Sequence, residues 1–376
     1  MGRSLHLGRI AGIAIELDYT WFVIYILVAV SLALAVFPSA LPAAPAWMNW
    51  LLGLITAVLF FASVLAHELM HSVVARREGL DVSSISLFIF GGVSRITEEP
   101  RTPGAEARMA AAGPLTSLVL AALLYGIALW GRALGWGPVF TLPVSWLAMI
   151  NLLLGIFNLV PGLPLDGGRL LRAAVWYSTH NLARATRIAA GIGQGFGYLL
   201  IFFGVLFVVG GDLLGLWWVL IGWFLAQAAA GSYQQVMLQR ALSGIPVERL
   251  MTRDVVSVPA GMSLADLVET HFLNRPYSAY PVQGSDGELL GVVTVGDVRA
   301  VPRERWGQVS TGEVAEPLSE DLIISPQADS WDALLKMAAG NRARLLVTQD
   351  HHLVGIISQS NVMELLRTRM DLNVGR

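Results

Sequence analysis

Through the first two-thirds of the chain, apolar positions come in long runs instead of alternating with polar ones. Six runs stand out: Tyr19 to Phe37, Met48 to Val74, Met109 to Trp130, Leu142 to Val160, Phe196 to Gly210 and Leu213 to Gly231. At 1.5 Å per helical residue, runs of this kind cross the roughly 30 Å of hydrocarbon in a bilayer; the fifth is the shortest. From Ile245 onward the pattern changes, with charges at regular intervals and no further run of spanning length. The expected fold class is an α-helical polytopic membrane bundle of about six transmembrane helices, residues 1–240, followed by a soluble α/β domain, residues 245–376.

The second domain contains an internal repeat. Leu290-Gly291-Val292-Val293-Thr294-Val295-Gly296-Asp297-Val298 aligns with Val354-Gly355-Ile356-Ile357-Ser358-Gln359-Ser360-Asn361-Val362 at a constant offset of 64. Tyr280-Pro281-Val282 and Leu345-Leu346-Val347 lie upstream, preceded by helical patterns around Leu264–Phe272 and Trp331–Ala339. Each unit reads as a strand and helix module, repeat one over 245–300 and repeat two over 312–370.

Composition agrees with the bilayer. Hydrophobic residues make up 55% of the chain and charged residues 14%, against roughly 25% charged in soluble domains. The formal net charge of −2 gives no basic surface for nucleic acid. Cysteine is absent, which excludes disulfides and thiolate metal sites. Arginines set the orientation: the connections after the second and fourth runs and the two ends hold Arg3, Arg9, Arg76, Arg77, Arg108, Arg169, Arg172 and others, whereas the opposite connections hold Arg132. Both termini are expected in the cytoplasm of a multi-pass cell-membrane protein. The first run follows a long polar lead and exceeds the 7–15 residues usual for a signal peptide, so it reads as an uncleaved anchor.

Against that apolar background, His67-Glu68-Leu69-Met70-His71 falls inside the second run. Ionisable groups at the middle of a spanning helix cost roughly 2.5–3.5 kcal/mol each, so three together need a metal or a cavity; the plain alternative is a polar patch between helices. Residues i and i+4 share one helix face, so both imidazoles can hold one zinc ion while Glu68 meets its water. His67 lies nine residues before Arg76, which buries the site about 13 Å below the cytoplasmic surface.

A second unusual segment follows the fourth run: Asn158-Leu159-Val160-Pro161-Gly162-Leu163-Pro164-Leu165-Asp166-Gly167-Gly168-Arg169. Its prolines and glycines break a helix, which is tolerated at this depth only where the backbone lines protein or water. Asp166 is the carboxylate placed to complete a His₂Asp set with a fourth position open, the catalytic arrangement of zinc. The alternative is ordinary N-capping of a helix over Arg169–Tyr177.

The two motifs together resemble the site-2 protease family of intramembrane zinc metalloproteases, in its branch with a C-terminal CBS domain pair, and the resemblance spans essentially the whole chain. It implies that His67, His71 and Asp166 hold one zinc per chain, that Glu68 is the general base and acid, and that Asn158 helps polarise the scissile carbonyl. Ala112-Gly113-Pro114-Leu115 is similar to the family's start of the third span. Asn158 has a second reading, bracing the broken helix. Two further functions stay open: a CBS-regulated ion channel or transporter, and an inactive metal-binding scaffold.

A site at that depth suits a membrane-spanning protein substrate arriving laterally through the lipid bilayer. A helix must first unwind, because its carbonyls are engaged in i to i−4 bonds. Ser84-Ile85-Ser86-Leu87-Phe88-Ile89-Phe90 is strand-prone and ends at Gly91-Gly92, so a re-entrant hairpin is expected whose free edge pairs with substrate, with Phe90, Gly91 and Gly92 as contacts. The alternative is a cytoplasmic hairpin packed on the bundle. The CBS resemblance implies an adenine nucleotide, with Thr294, Asp297 and Ser358 as its contacts; Asn361 stands where the first repeat has Asp297. Equally open is a tandem that only packs or forms a homodimer. His351-His352 reads as a solvated turn.

Overall fold

The computed structural model describes residues 4–89, 91–96, 100–275, 277–350 and 352–371. The chain divides into two compact units, Met1–Val236 and Met237–Arg376.

The first unit opens on a hairpin that the apolar runs did not reveal. Strands β1 (Ser4–Ile10) and β2 (Ile13–Asp18) pair antiparallel around Ala11-Gly12, both at positive φ as a tight hairpin turn requires. In β2 the apolar residues alternate, with Ile13, Ile15 and Leu17 buried on one face, while Glu16 on the other is also buried. Asp18 then caps the first span by accepting from the Thr20 N–H at 2.9 Å. That span, Tyr19–Ala40, is α1 (Tyr19–Ser31), a π turn over Leu32–Val36, and α2 (Phe37–Ala40).

Five more long apolar helices follow: α3 (Ala46–Arg77), α4 (Pro103–Ala133), α5 (Pro138–Asn158), α7 (Leu182–Val209) and α8 (Gly215–Leu242). A short helix, α6 (Asp166–Thr179), precedes α7. Among the described residues six helices are thus long and apolar enough to span, as the runs predict. The fifth is much longer than its run: Asn181 caps it fifteen residues before Phe196, and the added turns carry Ala185, Ala189, Ala190 and Gly193, small residues that register weakly as apolar. Large residues such as Ile26, Leu59, Leu123, Phe140, Leu153 and Phe202 face outward, an apolar surface that only lipid solvates well.

Between α3 and α4 lie β3 (Val82–Phe88) and β4 (Gly91–Ile96), an antiparallel pair. The predicted hairpin forms, but as part of a four-stranded sheet of order β1-β2-β3-β4, because β3 pairs parallel with β2. Its free edge therefore belongs to β4. Two cross-strand rows face α3: Ile15–Ile85–Ser94 and Leu17–Leu87–Gly92. Ile13, Ile15, Val82 and Ile85 pack with Ala75 and Met109, and Leu17 and Leu87 pack with Val64. Arg76 Nη1 donates to the Ala11 carbonyl at 2.6 Å, clipping the end of α3 to the first hairpin.

The second unit shows the repeat as two sheets. One has order β5-β6-β7-β8, from β5 (Val258–Pro259), β6 (Ala279–Gln283), β7 (Leu289–Thr294) and β8 (Glu316–Pro317); the other has order β11-β10-β9, from β9 (Ile323–Ile324), β10 (Arg344–Gln349) and β11 (His352–Ser358). In each, a parallel pair (β5–β6, β9–β10) joins an antiparallel hairpin (β6–β7, β10–β11). The hairpins shift register at matching places, Val282/Gln283 and Val347/Thr348. The helices are α9 (Leu264–Leu267), continued as a π turn over Val268–Phe272, α10 (Val295–Arg299), α11 (Thr311–Val314), α12 (Ser330–Ala339) and α13 (Gln359–Asp371). Leu264, Leu267, Tyr280, Val282 and Val293 fill one core; Ala333, Met337, Leu345, Val347 and Ile357 fill the other.

Candidate metal centre

Four residues apart on α3, His67 and His71 are both buried and their ring centroids lie 4.9 Å apart. Their Nε2 atoms converge on one carboxylate oxygen, Asp166 Oδ2, at 3.2 Å and 3.1 Å. The three candidate ligand atoms lie within 4.8 Å of one another, and among the described residues this is the one group of three or more such side chains so arranged.

The other ring nitrogens decide what belongs between them. His71 Nδ1 sits 2.7 Å from the Met109 carbonyl, which only accepts, so Nδ1 carries a proton, and the neutral form of the ring turns its Nε2 lone pair toward Asp166. His67 Nδ1 sits 2.9 Å from Ser117 Oγ. With both rings neutral, the two Nε2 lone pairs face one buried carboxylate oxygen, an arrangement that a cation among them stabilises. Two nitrogens and one carboxylate oxygen, with the far sides of both rings anchored, match the donor set that catalytic zinc sites use. The residues present fit the metal.

Helix α4 is the template for this arrangement. Met109 and Ser117 anchor the imidazoles, and between them Gly113 leaves their space open: a Cβ there would collide with both Nε2 atoms. Thr102 caps α4, and Pro103 at its first turn tolerates the missing N–H.

Asp166 is not a helix cap. Leu165 occupies the cap position of α6, and Asp166, its first helical residue, sends its carboxylate to the histidines. The loop leading there is held by backbone contacts. The Leu163 N–H donates to the Ala189 carbonyl at 3.1 Å, a Cβ at Gly193 of α7 would strike the Leu163 carbonyl, and one at Gly168 would strike Gly162 and Leu163. This is why the breaker residues cluster before Asp166.

Glu68, half-buried, points to β4. Ser94 Oγ donates to Glu68 Oε2 at 3.3 Å, and Ser72 Oγ donates to Ser94 Oγ at 3.0 Å. A Cβ at Gly92 would run into Glu68 Cγ. Of the expected substrate contacts, Gly91 and Gly92 open β4, and Phe90 lies outside the described residues. Asn158 ends α5 and spends one side-chain N–H on the Leu154 carbonyl at 3.0 Å, leaving its other N–H and its oxygen for a second partner. The structure thus brings together His67, His71 and Asp166, with Glu68 held against β4.

Sequence reasoning passed over Ser117, Ser94, Glu106 and Arg172. Glu106, Gly113 and Ser117 repeat at i, i+7 and i+11, one helix face, a signal that α4 carries a polar seam. Arg172, counted in the sequence among the boundary arginines, is buried and paired with Glu106: its Nε and Nη2 both lie 2.5 Å from Glu106 Oε1.

In the second unit, Thr294 and Asp297 form a capping box. The Thr294 N–H and hydroxyl donate to Asp297 Oδ2 at 2.8 Å and 2.7 Å, and the Asp297 N–H returns to Thr294 Oγ1 at 3.3 Å. Ser358 and Asn361 repeat this geometry: 2.9 Å, 2.6 Å and 3.3 Å. The Asp-to-Asn difference therefore changes charge without changing the local fold. His352 is exposed, and His351 lies outside the described residues.

Fold and site together define a multi-pass membrane metallopeptidase with an appended tandem of α/β repeats. The comparisons give it a family. The profile of Peptidase family M50 matches residues 55–134 and 131–202, and that of the CBS domain matches 247–304 and 312–368. "Putative zinc metalloprotease Rip3" of Mycobacterium tuberculosis is 39% identical over 97% of this chain and 93% of its own length. "Putative zinc metalloprotease sll0528" of Synechocystis is 34% identical over 98% of this chain and 97% of its own length. Among solved structures, the site-2 protease from Methanocaldococcus jannaschii is similar at 29% identity, covering 61% of this chain and 95% of that one with a TM-score of 0.44. The chain belongs to Peptidase family M50, the site-2 protease family of intramembrane metalloendopeptidases, and carries a C-terminal CBS pair. The family sets aside the channel or transporter.

Proposed function

We propose that the protein is a zinc-dependent intramembrane endopeptidase that hydrolyses a peptide bond in or near the transmembrane segment of a membrane protein. The observation carrying this reading is the convergence of His67 and His71 Nε2 on Asp166 Oδ2 while Glu68, one residue along, reaches past the metal site to β4. His67, His71 and Asp166 would hold the zinc. Bound there, zinc lowers the pKa of a water toward neutrality and polarises a carbonyl. Glu68 takes the proton of the attacking water and delivers it to the leaving amine. The second N–H of Asn158 is offered to the oxyanion.

Substrate enters as an extended strand added to the free edge of β4, where its main chain pairs with the strand that holds Gly91 and Gly92. The row ending Leu17–Leu87–Gly92 supports this, because a strand added there places its own row residue next to the Glu68 side chain. Both termini are read as cytoplasmic. Arg76, Arg77, Arg101 and Arg108 gather at one end of the bundle, whereas exposed Trp47, Trp130, Trp136, Trp217 and Trp218 lie at the other helix ends, where an interfacial aromatic belt belongs. The CBS pair is read as regulatory, with adenine nucleotide contacting half-buried Thr294, Asp297 and Ser358, and as a route to a homodimer.

Cleavage of a co-expressed single-span reporter by wild type and by Glu68→Gln, with zinc content measured on each purified protein, tests the proposal. Glu68→Gln should keep zinc and lose cleavage. Retained cleavage overturns the role of Glu68, and wild type without zinc overturns the metal.

A further inference from the structure

Zinc ligation in this chain needs residues from α3 and α6, two elements separated by about a hundred positions in sequence, to meet within an ångström or so. Helix α4 holds the α3 half of the site, through Ser117 Oγ on His67 and the Met109 carbonyl on His71. The α6 half is joined to that same helix by Glu106 and Arg172, whose side chains are 1% and 9% exposed. Glu106 lies one turn before Met109 and on the same face as Gly113 and Ser117; Arg172 lies six residues after Asp166 on α6. One face of α4 therefore touches every element of the metal site, and the joint to α6 is the charged one. A guanidinium donating two N–H groups to one carboxylate oxygen fixes direction as well as distance, which an apolar contact does not. A buried charge pair is weak evidence for stability by itself, because desolvation offsets the attraction, so its position requires another reason.

We infer that the Glu106–Arg172 ion pair is a positioning device for the metal site: it sets the height and rotation of α6 on α4 so that Asp166 Oδ2 meets both histidines. The inference rests on the zinc reading above. Neither residue touches the metal or the substrate; both act through Asp166. Groups hydrogen-bonded to metal ligands change metal affinity by about 10- to 100-fold, and a pair that aims a ligand is expected to act within the same range.

The test is a double-mutant cycle on zinc affinity, read by chelator competition on full-length protein in detergent. Glu106→Gln should weaken zinc binding by about 10- to 100-fold relative to wild type. In an Asp166→Ala background, where two histidines alone remain, the same Glu106→Gln should leave the residual affinity unchanged, because there is no carboxylate left to aim. The exchange Glu106→Arg with Arg172→Glu should recover zinc binding lost by either single change. An equal loss in both backgrounds would mean that the pair supports the bundle generally, and would overturn the inference. So would wild-type affinity in Glu106→Gln. Failure of the zinc reading itself looks different, since wild type and Asp166→Ala would then bind zinc alike. Should Glu106→Gln not purify, Arg172→Lys, which keeps the charge and loses the planar fork, replaces it in both backgrounds with the same expectations.

Discussion

Ser117 Oγ lies 2.9 Å from His67 Nδ1, on a different helix and fully buried. The contact orients a ring whose other nitrogen faces Asp166, and it gives a buried ring nitrogen its hydrogen-bond partner. Ser117→Ala removes both services. Zinc affinity is expected to fall by about 10- to 100-fold. The unpaired buried ring nitrogen should also lower folding stability by about 1–3 kcal/mol. Chelator competition and thermal unfolding of the metal-free protein read the two effects separately. An unchanged zinc affinity would show that His67 needs no partner for its orientation.

Gly113 gives a sharper steric test. Its absent side chain is the space in which both Nε2 atoms sit, so Gly113→Ala forces the rings apart with no loss of any polar group. Zinc stoichiometry and reporter cleavage should both drop to background while the protein still purifies. The control is Gly126→Ala on the same helix, where a Cβ meets nothing within 4 Å. That change should leave zinc and cleavage intact and add helix propensity. Equal behaviour of the two variants would remove the steric argument.

Much of this was legible in the sequence, and the boundary between what was and was not follows from range. The spans show as apolar runs, and His67 with His71 shows as i and i+4, because both are local periodicities. Asp166 was recognisable because proline and glycine break the chain just before it. What escaped depends on partners chosen by packing. Nothing near Ser117 or Arg172 says that one meets His67 and the other Glu106, and the parallel pairing of β2 with β3 joins segments about seventy residues apart. The first hairpin was missed for a different reason: its alternation of Ile13, Ile15 and Leu17 runs straight into an apolar helix and is masked by it.

Gly92 separates chemistry from metal binding. A Cβ at this position would press on Glu68 Cγ and lie 3.1 Å from Cδ, but the anchors of His67 and His71 are on α4, and Asp166 is on α6. Gly92→Ala should therefore keep full zinc content and, with Glu68 in the proposed proton-carrying role, lower kcat far more than KM. Ser94→Ala, which removes the hydroxyl donating to Glu68 Oε2, should change the same parameter in the same direction by less. Zinc analysis with single-turnover cleavage of a reporter decides it. Loss of zinc in Gly92→Ala would show that β4 supports the metal directly.

The capping boxes allow helix support and ligand binding to be told apart in the CBS pair. Asp297 Oδ2 accepts the Thr294 N–H at 2.8 Å, and Asn361 Oδ1 accepts the Ser358 N–H at 2.9 Å, so an amide oxygen already performs this task in the second repeat. Asp297→Asn should hence leave the thermal stability of the unit nearly unchanged, whereas Asp297→Ala should cost about 1 kcal/mol through loss of the cap. The isosteric change nevertheless removes a negative charge. If the carboxylate contacts the ribose of an adenine nucleotide, Asp297→Asn weakens binding of ATP or AMP measured by titration calorimetry on the full chain while the melting temperature stays put. Nucleotide binding that follows stability alone, lost in Asp297→Ala and kept in Asp297→Asn, would reduce Thr294 and Asp297 to the start of a helix.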